Sequence, residues 1–375
     1  MSKLPKIAVN GIYIQEQASG LGVVSKNLIS ELMNFEREFD FRLYSYSSEL
    51  KSNYPDKINF VSPAISPDRG SIGHIKRLLW YQTTLRRQLR QQQTNLFFSP
   101  ATEGMLFPNL PQIVTVHDLI PLKYPAVSPK WQYYYRYILP FLLKQCQGII
   151  CVSQHTKKDL IENYGLNPDL ISVVHLGFDR HLFSPQPDPQ ILRKYSLDKY
   201  LPYVGDMRFY KNLDRTLKAF DRLPLKDYQF VITGKKDDFF YPQIKQQVRQ
   251  LSASDRIIFL DYVPTADLPK LYSMAQCLVF ASLYEGFGLP VLEAMACGCP
   301  VITSGTTSIP EVGGDSVLYV DPYNVDNIAQ GMYQVITNTE IQKDLRQKGR
   351  ARSQLFSWSK TAQDVRQVLL SGLIK

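Results

Sequence analysis

The sequence of 375 residues lacks the apolar run of roughly 18 to 20 residues that a membrane-spanning helix requires. Its start, MSKLPKIAVNGIYI, has no long apolar core followed by a small-residue cleavage site, and this predicts no signal peptide. There are only five cysteines, and no C-x-x-C pair has partners at zinc spacing. We therefore expect reduced, mostly buried thiols in a cytoplasmic protein.

Three signatures of particular functions are also missing. No strict D-x-D occurs, so we predict no metal site. Neither half carries G-x-G-x-x-G after its first strand, which argues against a nicotinamide-dependent dehydrogenase. The sequence contains no recognised nucleic-acid-binding module, and we expect no nucleic acid partner.

Acidic residues are scarce in one stretch of the chain. Overall, 43 lysine and arginine residues face 34 aspartate and glutamate residues, which gives a net charge of +9. The stretch from Gly70 to Lys158 holds eleven basic residues and only two acidic ones, Glu103 and Asp118, so it carries the whole excess. Such an excess suits a nucleic acid, an anionic membrane or a polyphosphate ligand, and composition leaves these partners open.

The chain does contain a repeated alternation of short apolar runs with longer amphipathic ones. KIAVNGIYI (6–14) predicts a buried strand, and VVSKNLISELMNF (23–35) follows with apolar residues at helical spacing. The alternation stops at SPQPDP (184–189), where three prolines fall within six residues, and restarts at LPYVG (201–205). This predicts an α/β fold of two tandem Rossmann-like, doubly wound domains that face each other across a cleft.

The segment SLYEGFGLPVLEAMACGCPVITS (282–304) carries the strongest functional signal. Glu285 and Glu293 flank Pro290, which suits the first turn of a helix. Backbone N–H groups at such a helix start can bind phosphate. The residues that would supply them are Phe287, Gly288 and Leu289. On the residues alone, a capped helix with two solvated acids explains this segment at least as well.

The string EGFGLPVLEAMACGCPVI resembles the signature of the retaining glycosyltransferases of family 4, the group 1 transferases with two Rossmann-like domains (the GT-B fold). The resemblance implies that Glu285 contacts the donor sugar and that Glu293 binds the ribose hydroxyls of the nucleotide. YVGDMRFYKN (203–212) resembles the family element V-G-x(5)-K-[NG], which implies that Lys211 pairs with the donor diphosphate. Many members carry arginine directly before this lysine. Here that position is Tyr210, so Arg208 is the candidate for the arginine.

Further motifs in the same register imply the other contacts. VTVHDLIP (114–121) resembles the family's H-D-x-x-P, which implies that His117 donates a hydrogen bond to a sugar hydroxyl or near the departing oxygen. SGLGVVSKNL (19–28) resembles the family's glycine-rich loop. The resemblance adds glycines at the ends of two strands and a stretch whose backbone contacts the nucleotide base, which completes the expected donor site. The residues concerned are Gly20, Gly22, Gly205, Gly234, Tyr262 and Val263.

The reaction implied by the resemblance is metal-independent transfer of a hexose, with retention, from a nucleotide-diphosphate sugar to an acceptor hydroxyl. The nucleotide sugar is a co-substrate, and no permanently bound cofactor is expected. GDP-mannose is the favoured donor and a UDP-sugar the second choice. The acceptor would be a glycan or lipid-linked glycan in polysaccharide or lipopolysaccharide biosynthesis. A same-fold nucleotide-sugar epimerase or phosphorylase is the alternative, and a basic nucleic-acid-binding or membrane-binding protein without catalysis is a remote one.

The resemblance also divides the chain into three parts. Residues 1–185 form the acceptor-side domain, and residues 186–355 form the nucleotide-sugar-binding domain. FSWSKTA (356–362) resembles the start of the family's closing helix, so residues 356–375 are expected to cross back to the first domain.

The basic stretch falls in the acceptor-side domain. GHIKRLLWYQTTLRRQLR (73–90) and PKWQYYYRYILPFLLK (129–144) place cations beside aromatic residues, which suits an anionic membrane surface carrying a lipid-linked acceptor. This interpretation predicts a protein peripheral to the inner face of the membrane. Packed helices with a solvated basic face explain the same pattern equally well.

Overall fold

The computed structural model describes residues 4–15, 20–127, 129–234, 236–260 and 263–374. The chain divides into two compact units, Met1–Gly177 with Trp358–Lys375 and Phe178–Ser357. The division precedes the proline-rich segment and does not fall at residue 185, because the intervening residues contact the second unit. Arg180 donates a hydrogen bond to the Phe356 carbonyl at 2.8 Å, and the Phe183 ring packs against Tyr272.

The first unit is built on one sheet of seven parallel strands. They are β1 Lys6–Asn10, β2 Asp40–Ser45, β3 Ile58–Phe60, β4 Leu96–Ser99, β5 Gln112–Val116, β6 Gly148–Cys151 and β7 Ile171–Val173. Their order across the sheet is β3-β2-β1-β4-β5-β6-β7. The winding reverses between β1 and β4, and a doubly wound sheet opens a ligand crevice at the carboxyl end of such a switch point.

Helices cover this sheet on both faces. They are α1 Gly20–Leu32, α2 Ser48–Asn53, α3 Gly70–Trp80, α4 Arg86–Gln91, α5 Ile120–Lys123, α6 Pro129–Tyr133, α7 Leu139–Lys144 and α8 Gln154–Tyr164. The π-helical turns Tyr81–Leu85 and Tyr134–Ile138 join α3 to α4 and α6 to α7, so each pair forms one longer helix.

The second unit contains two three-stranded parallel sheets. Its strands are β8 Lys199–Val204, β9 Tyr228–Thr233, β10 Ile257–Phe259, β11 Leu278–Phe280, β12 Val301–Ser304 and β13 Leu318–Val320. The sheet orders are β10-β9-β8 and β11-β12-β13. The Gln276 N–H, just before β11, donates to the Tyr200 carbonyl of β8 at 3.0 Å, which sets the two sheets side by side. The winding therefore reverses between β8 and β11.

Among the described residues, eight helices of the second unit and one further helix of the first complete the fold. Those of the second unit are α9 Pro189–Tyr195, α10 Leu213–Asp221, α11 Phe240–Val248, α12 Leu268–Met274, α13 Leu289–Ala296, α14 Ile309–Gly313, α15 Val325–Thr337 and α16 Thr339–Ser353. The last helix, α17 Trp358–Ile374, belongs to the first unit. It buries Val365 and Leu369 in the same core as Ile7 of β1 and Ile113 of β5.

The two Rossmann-like units confirm the predicted fold class. Two local predictions change. The first strand stops at Asn10 instead of residue 14, because the Asn10 side chain donates to Tyr81 and Ser99 and accepts from the Ile12 N–H. The first helix starts at Gly20 instead of residue 23. Across the described ranges, no helix combines the length and apolar character needed to cross a membrane.

Candidate active site

The second unit brings two of the predicted site residues together at the carboxyl ends of β8 and β11. Lys211 ends the 3₁₀ turn Phe209–Lys211 that follows β8, and Glu285 lies in the loop that follows β11. Because these strands flank the point where the winding reverses, their following loops border the same crevice. Two side chains that are 74 positions apart in sequence therefore meet.

Lys211 and Glu285 form a nearly buried ion pair. Lys211 Nζ lies 2.8 Å from Glu285 Oε1 and 3.0 Å from Oε2, and the two side chains are 14% and 9% exposed. The ammonium also lies over the rings of Phe280 and Tyr210, 5.2 and 5.6 Å from their centroids. Electrostatic interactions are strong in such surroundings, so the pair provides a cation for an anionic ligand group and a carboxylate that accepts hydrogen bonds.

The Lys211 turn is tied to the neighbouring strand ends by Asn212, the last residue of the motif YKN. Asn212 Nδ2 donates to the Ala281 carbonyl at 2.8 Å and to the Pro322 carbonyl at 2.7 Å. Its backbone lies in the left-handed region, at a φ of 59°, where asparagine is tolerated better than most residues. This explains physically why asparagine follows the lysine.

Two residues that the motifs do not single out hold the Glu285 loop. The Glu285 N–H donates to Thr307 Oγ1 at 3.1 Å, and Ser308 Oγ donates to the carbonyls of Glu285 and Phe287. Thr307 has a φ of 56°, which is rare for a β-branched residue. The sequence signal that could have found them is their place just after β12, the strand that pairs with β11.

Helix α13 begins at Leu289, directly after Gly288, as the motif predicts. Gly288 has a φ of 112°, and a Cβ there would lie 2.7 Å from Ile309 Cδ1, so the chain needs glycine at this corner. The first N–H groups of a helix have no partner inside it, and the helix dipole favours an anion there. Phe287 is buried and its ring packs against Phe356.

Glu293 lies in α13 and is half-buried. Burial raises the pKa of its carboxyl from the ordinary 4.5 to about 8, and no ion pair or hydrogen bond within the described residues offsets that burial. The nearby Tyr272 hydroxyl is buried and also has no hydrogen-bond partner in the described part of the chain. These polar groups can gain hydrogen bonds from a hydroxyl-rich ligand.

Gly205 and Gly234 follow β8 and β9 and touch each other. Gly234 has a φ of 146°, and a Cβ on it would lie 1.9 Å from the Gly205 carbonyl oxygen. The Gly205 N–H donates to the Thr233 carbonyl at 3.0 Å. Close approach of the two strand ends therefore requires glycine at 234, whatever ligand comes near it.

The remaining predicted donor-binding side chains that the structure describes do not join the Lys211–Glu285 ion pair. Arg208 is 38% exposed and faces two acids, with Nε 3.4 Å from Asp206 and 3.8 Å from Asp237. A diphosphate at Arg208 would compete with both carboxylates. Val263 is buried after β10. Tyr262 lies outside the described residues.

In the first unit, His117 directly follows β5 at the carboxyl edge of the sheet. Its Nε2 lies 2.8 Å from the Pro100 carbonyl, and its own carbonyl accepts from Thr156 Oγ1. Burial lowers the pKa of His117, although the bond to Pro100 opposes this. The neutral ring carries its proton on Nε2, since a carbonyl only accepts. We predicted a donor toward the sugar, but the ring offers Nδ1 as an acceptor.

The two glycines of the predicted phosphate loop lie in the first turn of α1. Gly20 is exposed, and a Cβ there would have no described atom within 4 Å. Gly22 is buried in the same turn. The packing around Gly20 does not by itself require glycine, so its contact with a ligand stays a prediction.

The described residues form no evident metal site. Within them, no group of three or more histidine, cysteine, aspartate or glutamate side chains is arranged to hold a metal ion. Independence of metal therefore stays a prediction. The five cysteines are all free and buried.

Two Rossmann-like units, one with a buried lysine–glutamate pair at its switch point, define a class of nucleotide-binding α/β proteins. Known families make the class specific. The family model "Glycosyl transferases group 1" matches residues 186–352, and the model "Glycosyltransferase Family 4" matches residues 18–182. The chain belongs to the group 1, family 4 glycosyltransferases, which confirms the resemblance stated from the motifs.

Individual relatives agree with this assignment. The O-antigen chain mannosyltransferase B of Escherichia coli is 33% identical over 257 residues, covering 66% of this chain and 66% of the relative. The O-antigen chain mannosyltransferase RfbU of Salmonella typhimurium is 28% identical, covering 73% and 76%. The matches thus span just under two thirds of the first relative and about three quarters of the second.

A solved structure supports the fold. The sucrose-phosphate synthase of Thermosynechococcus elongatus superposes with a TM-score of 0.78 at 19% identity, covering 98% of both chains. At that identity the likeness concerns the GT-B architecture alone.

Proposed function

We propose that the protein transfers mannose from GDP-mannose to a hydroxyl of a glycan or lipid-linked glycan, with retention of the anomeric configuration. The product would serve polysaccharide or lipopolysaccharide synthesis, such as an O-antigen chain. Family membership supports glycosyl transfer in general. The names of the two relatives, both O-antigen chain mannosyltransferases, support mannose and the pathway.

The observation that carries the proposal is the buried Lys211–Glu285 pair in the same unit as the uncompensated carboxyl of Glu293. A nucleotide sugar has an anionic diphosphate flanked by two hydroxyl-bearing rings. An ammonium suits the diphosphate, a carboxylate suits hydroxyls of the donor sugar, and a second buried carboxyl suits the ribose hydroxyls. One ligand would thus satisfy all three groups.

In the proposed step, the bond between the anomeric carbon and the diphosphate oxygen breaks, and its electron pair stays on the diphosphate. The acceptor oxygen bonds to the same carbon from the same face, and its hydroxyl proton passes to the departing phosphate oxygen. Lys211 stabilises the negative charge that develops on the leaving group. Glu285 holds the sugar, and Arg208 adds a second cation once the phosphate outcompetes its acidic neighbours.

His117 is proposed to bind a substrate hydroxyl. Its Nε2–H is engaged by the Pro100 carbonyl at 2.8 Å, so Nδ1 accepts a hydrogen bond from a substrate hydroxyl. This role needs a neutral ring, and burial favours the neutral form because it lowers the pKa. The histidine then orients substrate and carries no proton in the reaction.

The test is nucleoside diphosphate release with GDP-mannose, UDP-glucose, UDP-N-acetylglucosamine and UDP-galactose, each with and without a mannan-type acceptor. Acceptor-dependent release that is largest with GDP-mannose is the expected result. Release with a UDP-sugar instead would overturn the donor assignment. Conversion of the sugar nucleotide without acceptor would favour an epimerase.

Variants test the site itself. Lys211→Ala and Glu285→Ala should each reduce turnover by at least about 100-fold, the usual cost of losing one charge-stabilising group. Lys218→Ala is a matched control, since Lys218 lies in the same unit with its side chain 49% exposed. Full activity of Lys211→Ala or Glu285→Ala would contradict the site.

The membrane partner is proposed from an exposed face of the first unit. The α3–α4 helix exposes apolar residues mainly in its first half and basic residues in its second half. They are Ile72, Ile75, Lys76, Leu79, Arg86, Arg87 and Arg90. The α6–α7 helix continues the pattern with Lys130, Tyr133, Arg136, Tyr137, Phe141 and Lys144. The rings of His74 and Trp131, 4.3 Å apart, bring the two helices together.

We propose that this face rests on the anionic inner surface of the cytoplasmic membrane. Apolar side chains beside cations suit the interface between headgroups and acyl chains. Arg77, Tyr134 and Tyr135 do not belong to the face, because they are buried. A cytoplasmic location also fits five free, buried cysteines.

Co-sedimentation with phosphatidylglycerol vesicles tests this part, with phosphatidylcholine vesicles as the neutral comparison. Binding to the anionic vesicles should weaken with added salt and with charge reversal at Arg86, Arg87 and Arg90. Charge reversal at Lys343, Arg350 and Lys348 of the second unit is the control. Binding that neither salt nor reversal alters would contradict the membrane proposal and leave the transferase proposal untouched.

A further inference from the structure

The first unit contains a buried ion cluster that the proposed reaction does not touch. Arg77 and Glu103 are each 1% exposed, and Arg77 Nη2 donates to Glu103 Oε1 at 2.9 Å. His74 Nδ1 lies 3.0 Å from the same oxygen. Burial alone would raise the pKa of Glu103, but the hydrogen bonds of His74 and Arg77 more than offset it and hold the pKa at about 2. The carboxylate is therefore ionised and fixed in place.

Glu103 lies in the loop that connects β4 to β5, and neighbouring residues of this loop are also held. Thr102 Oγ1 donates to the Thr115 carbonyl of β5 at 3.2 Å. Tyr134 Oη donates to the Thr102 carbonyl at 2.8 Å. The loop is thus fixed from three sides: by the α3 helix through Arg77, by β5, and by the π turn that holds Tyr134.

The same loop contains Pro100, whose carbonyl accepts from His117 Nε2. Thr102 and Glu103 follow Pro100 closely along the loop, with one and two residues in between. The position of the carbonyl therefore depends on the contacts that fix those residues. A histidine tautomer is set by the hydrogen bond that one of its nitrogens makes.

We propose that Arg77, Glu103 and Tyr134 are positioning residues for His117. They hold the β4–β5 loop so that the Pro100 carbonyl selects the Nε2–H tautomer and leaves Nδ1 unprotonated. The inference rests on the proposed function in one respect only: the group that donates a hydrogen bond to Nδ1 would be a hydroxyl of the sugar or of the acceptor.

The test reads the tautomer in the unliganded protein by ¹⁵N NMR of the imidazole nitrogens. The chain has five histidines, and His117→Gln identifies the signals of this one. The parent should show a single Nε2–H tautomer. Tyr134→Phe removes the hydroxyl that holds Thr102 and keeps the ring, which contacts His74 and Trp131. It should raise the Nδ1–H population several-fold, and Glu103→Gln should raise it further.

Tyr164→Phe is the matched control, because Tyr164 Oη donates to the Tyr135 carbonyl at 2.6 Å, outside this loop. Its His117 signals should equal those of the parent. The proposal is overturned if Tyr134→Phe folds with His117 signals equal to those of the control. If Glu103→Gln does not fold, Tyr134→Phe alone decides. The NMR experiment contains no sugar nucleotide. A donor assay that contradicted the proposed function would therefore leave the tautomer result unchanged.

Discussion

In the first unit, Glu103 is 1% exposed and still ionised, because Arg77 and His74 surround its carboxylate and hold the pKa at about 2. In the second unit, Glu293 is less buried, yet burial raises its pKa to about 8, since no group within the described residues compensates it. Two buried glutamates thus have pKa values on opposite sides of the ordinary 4.5.

The difference separates a carboxylate that the protein compensates from a carboxyl that it leaves uncompensated within the described residues. Glu103 has its partners inside the protein and gains little from any ligand, whereas Glu293 lies beside the switch point with hydrogen-bonding capacity to spare. Glu285 is an intermediate case: the protein compensates its charge with Lys211, but Lys211 is itself a proposed ligand contact. Compensation by the protein, more than burial, therefore separates an acid that serves the fold from an acid that is a candidate for ligand binding.

The largest expected effect follows from removing the compensation in the first unit. Arg77→Met leaves Glu103 buried with His74 as its remaining cationic partner among the described residues, and should lower the free energy of unfolding by about 3–5 kcal/mol. Urea denaturation followed by tryptophan fluorescence measures it, because Trp80, Trp131 and Trp358 all lie in this unit.

Arg86→Met is the control for that measurement, since Arg86 starts α4 on the same long helix and is exposed. A surface substitution of this kind should change the free energy of unfolding by no more than about 0.5 kcal/mol. Equal loss in the two variants would show that Glu103 does not depend on Arg77.

The contrast between the two acids could be predicted only in part from sequence. Glu285, Glu293 and Lys211 sit in motifs that follow strands, and neighbouring parallel strands bring such ends together. The fold follows from the alternation of apolar runs in the same way. Arg77, however, looks like one more cation in a basic helix. Its burial depends on how α3 packs against the β4–β5 loop, which no local pattern specifies.

The same limit applies to Thr307 and Ser308. They hold the Glu285 loop through hydrogen bonds between neighbouring strand ends, and the sequence marks them only by their place just after a predicted strand. The hydrogen bond of His117 is missed for a related reason, because the Pro100 carbonyl that accepts from its Nε2 lies 17 positions away. Local pattern predicts the elements and the motif residues, but partners across the fold need the structure.

A smaller effect on the free energy of unfolding is expected when the uncompensated Glu293 is replaced by glutamine. The folded protein keeps the Glu293 proton up to about pH 8, whereas the unfolded chain loses it near 4.5. The folded state therefore binds more protons between these values, and stability declines as pH rises through them. Glu293→Gln should remove this decline and raise the free energy of unfolding at pH 8 by about 2–4 kcal/mol. This is less than the full shift at about 1.4 kcal/mol per pKa unit, because the side chain is only half-buried and solvent screens it.

Hydrogen exchange of α13, compared between parent and variant at pH 5 and pH 8, measures the change in the second unit. Glu340→Gln is the control, since the Glu340 side chain is 79% exposed. Slower exchange in Glu293→Gln at pH 8 but not at pH 5 is the expected pattern. If the variant and the parent exchange alike at both values, Glu293 is compensated after all.

The smallest effect concerns Glu103 in acid, where the sign is opposite. Its folded pKa of about 2 lies below the ordinary 4.5, so its stabilisation is complete above pH 4.5 and is lost as pH falls toward 2. Between pH 4.5 and 3 the tryptophan-monitored free energy of unfolding should fall by about 1–2 kcal/mol from this group. Glu103→Gln should not show that part of the decline, while Glu36→Gln, with its side chain 59% exposed, should still show it.

Because the unfolded chain takes up the proton first, only a carboxylate held by the protein gives this acid dependence. Equal slopes in the two variants would place Glu103 with the uncompensated acids and remove the contrast between the units.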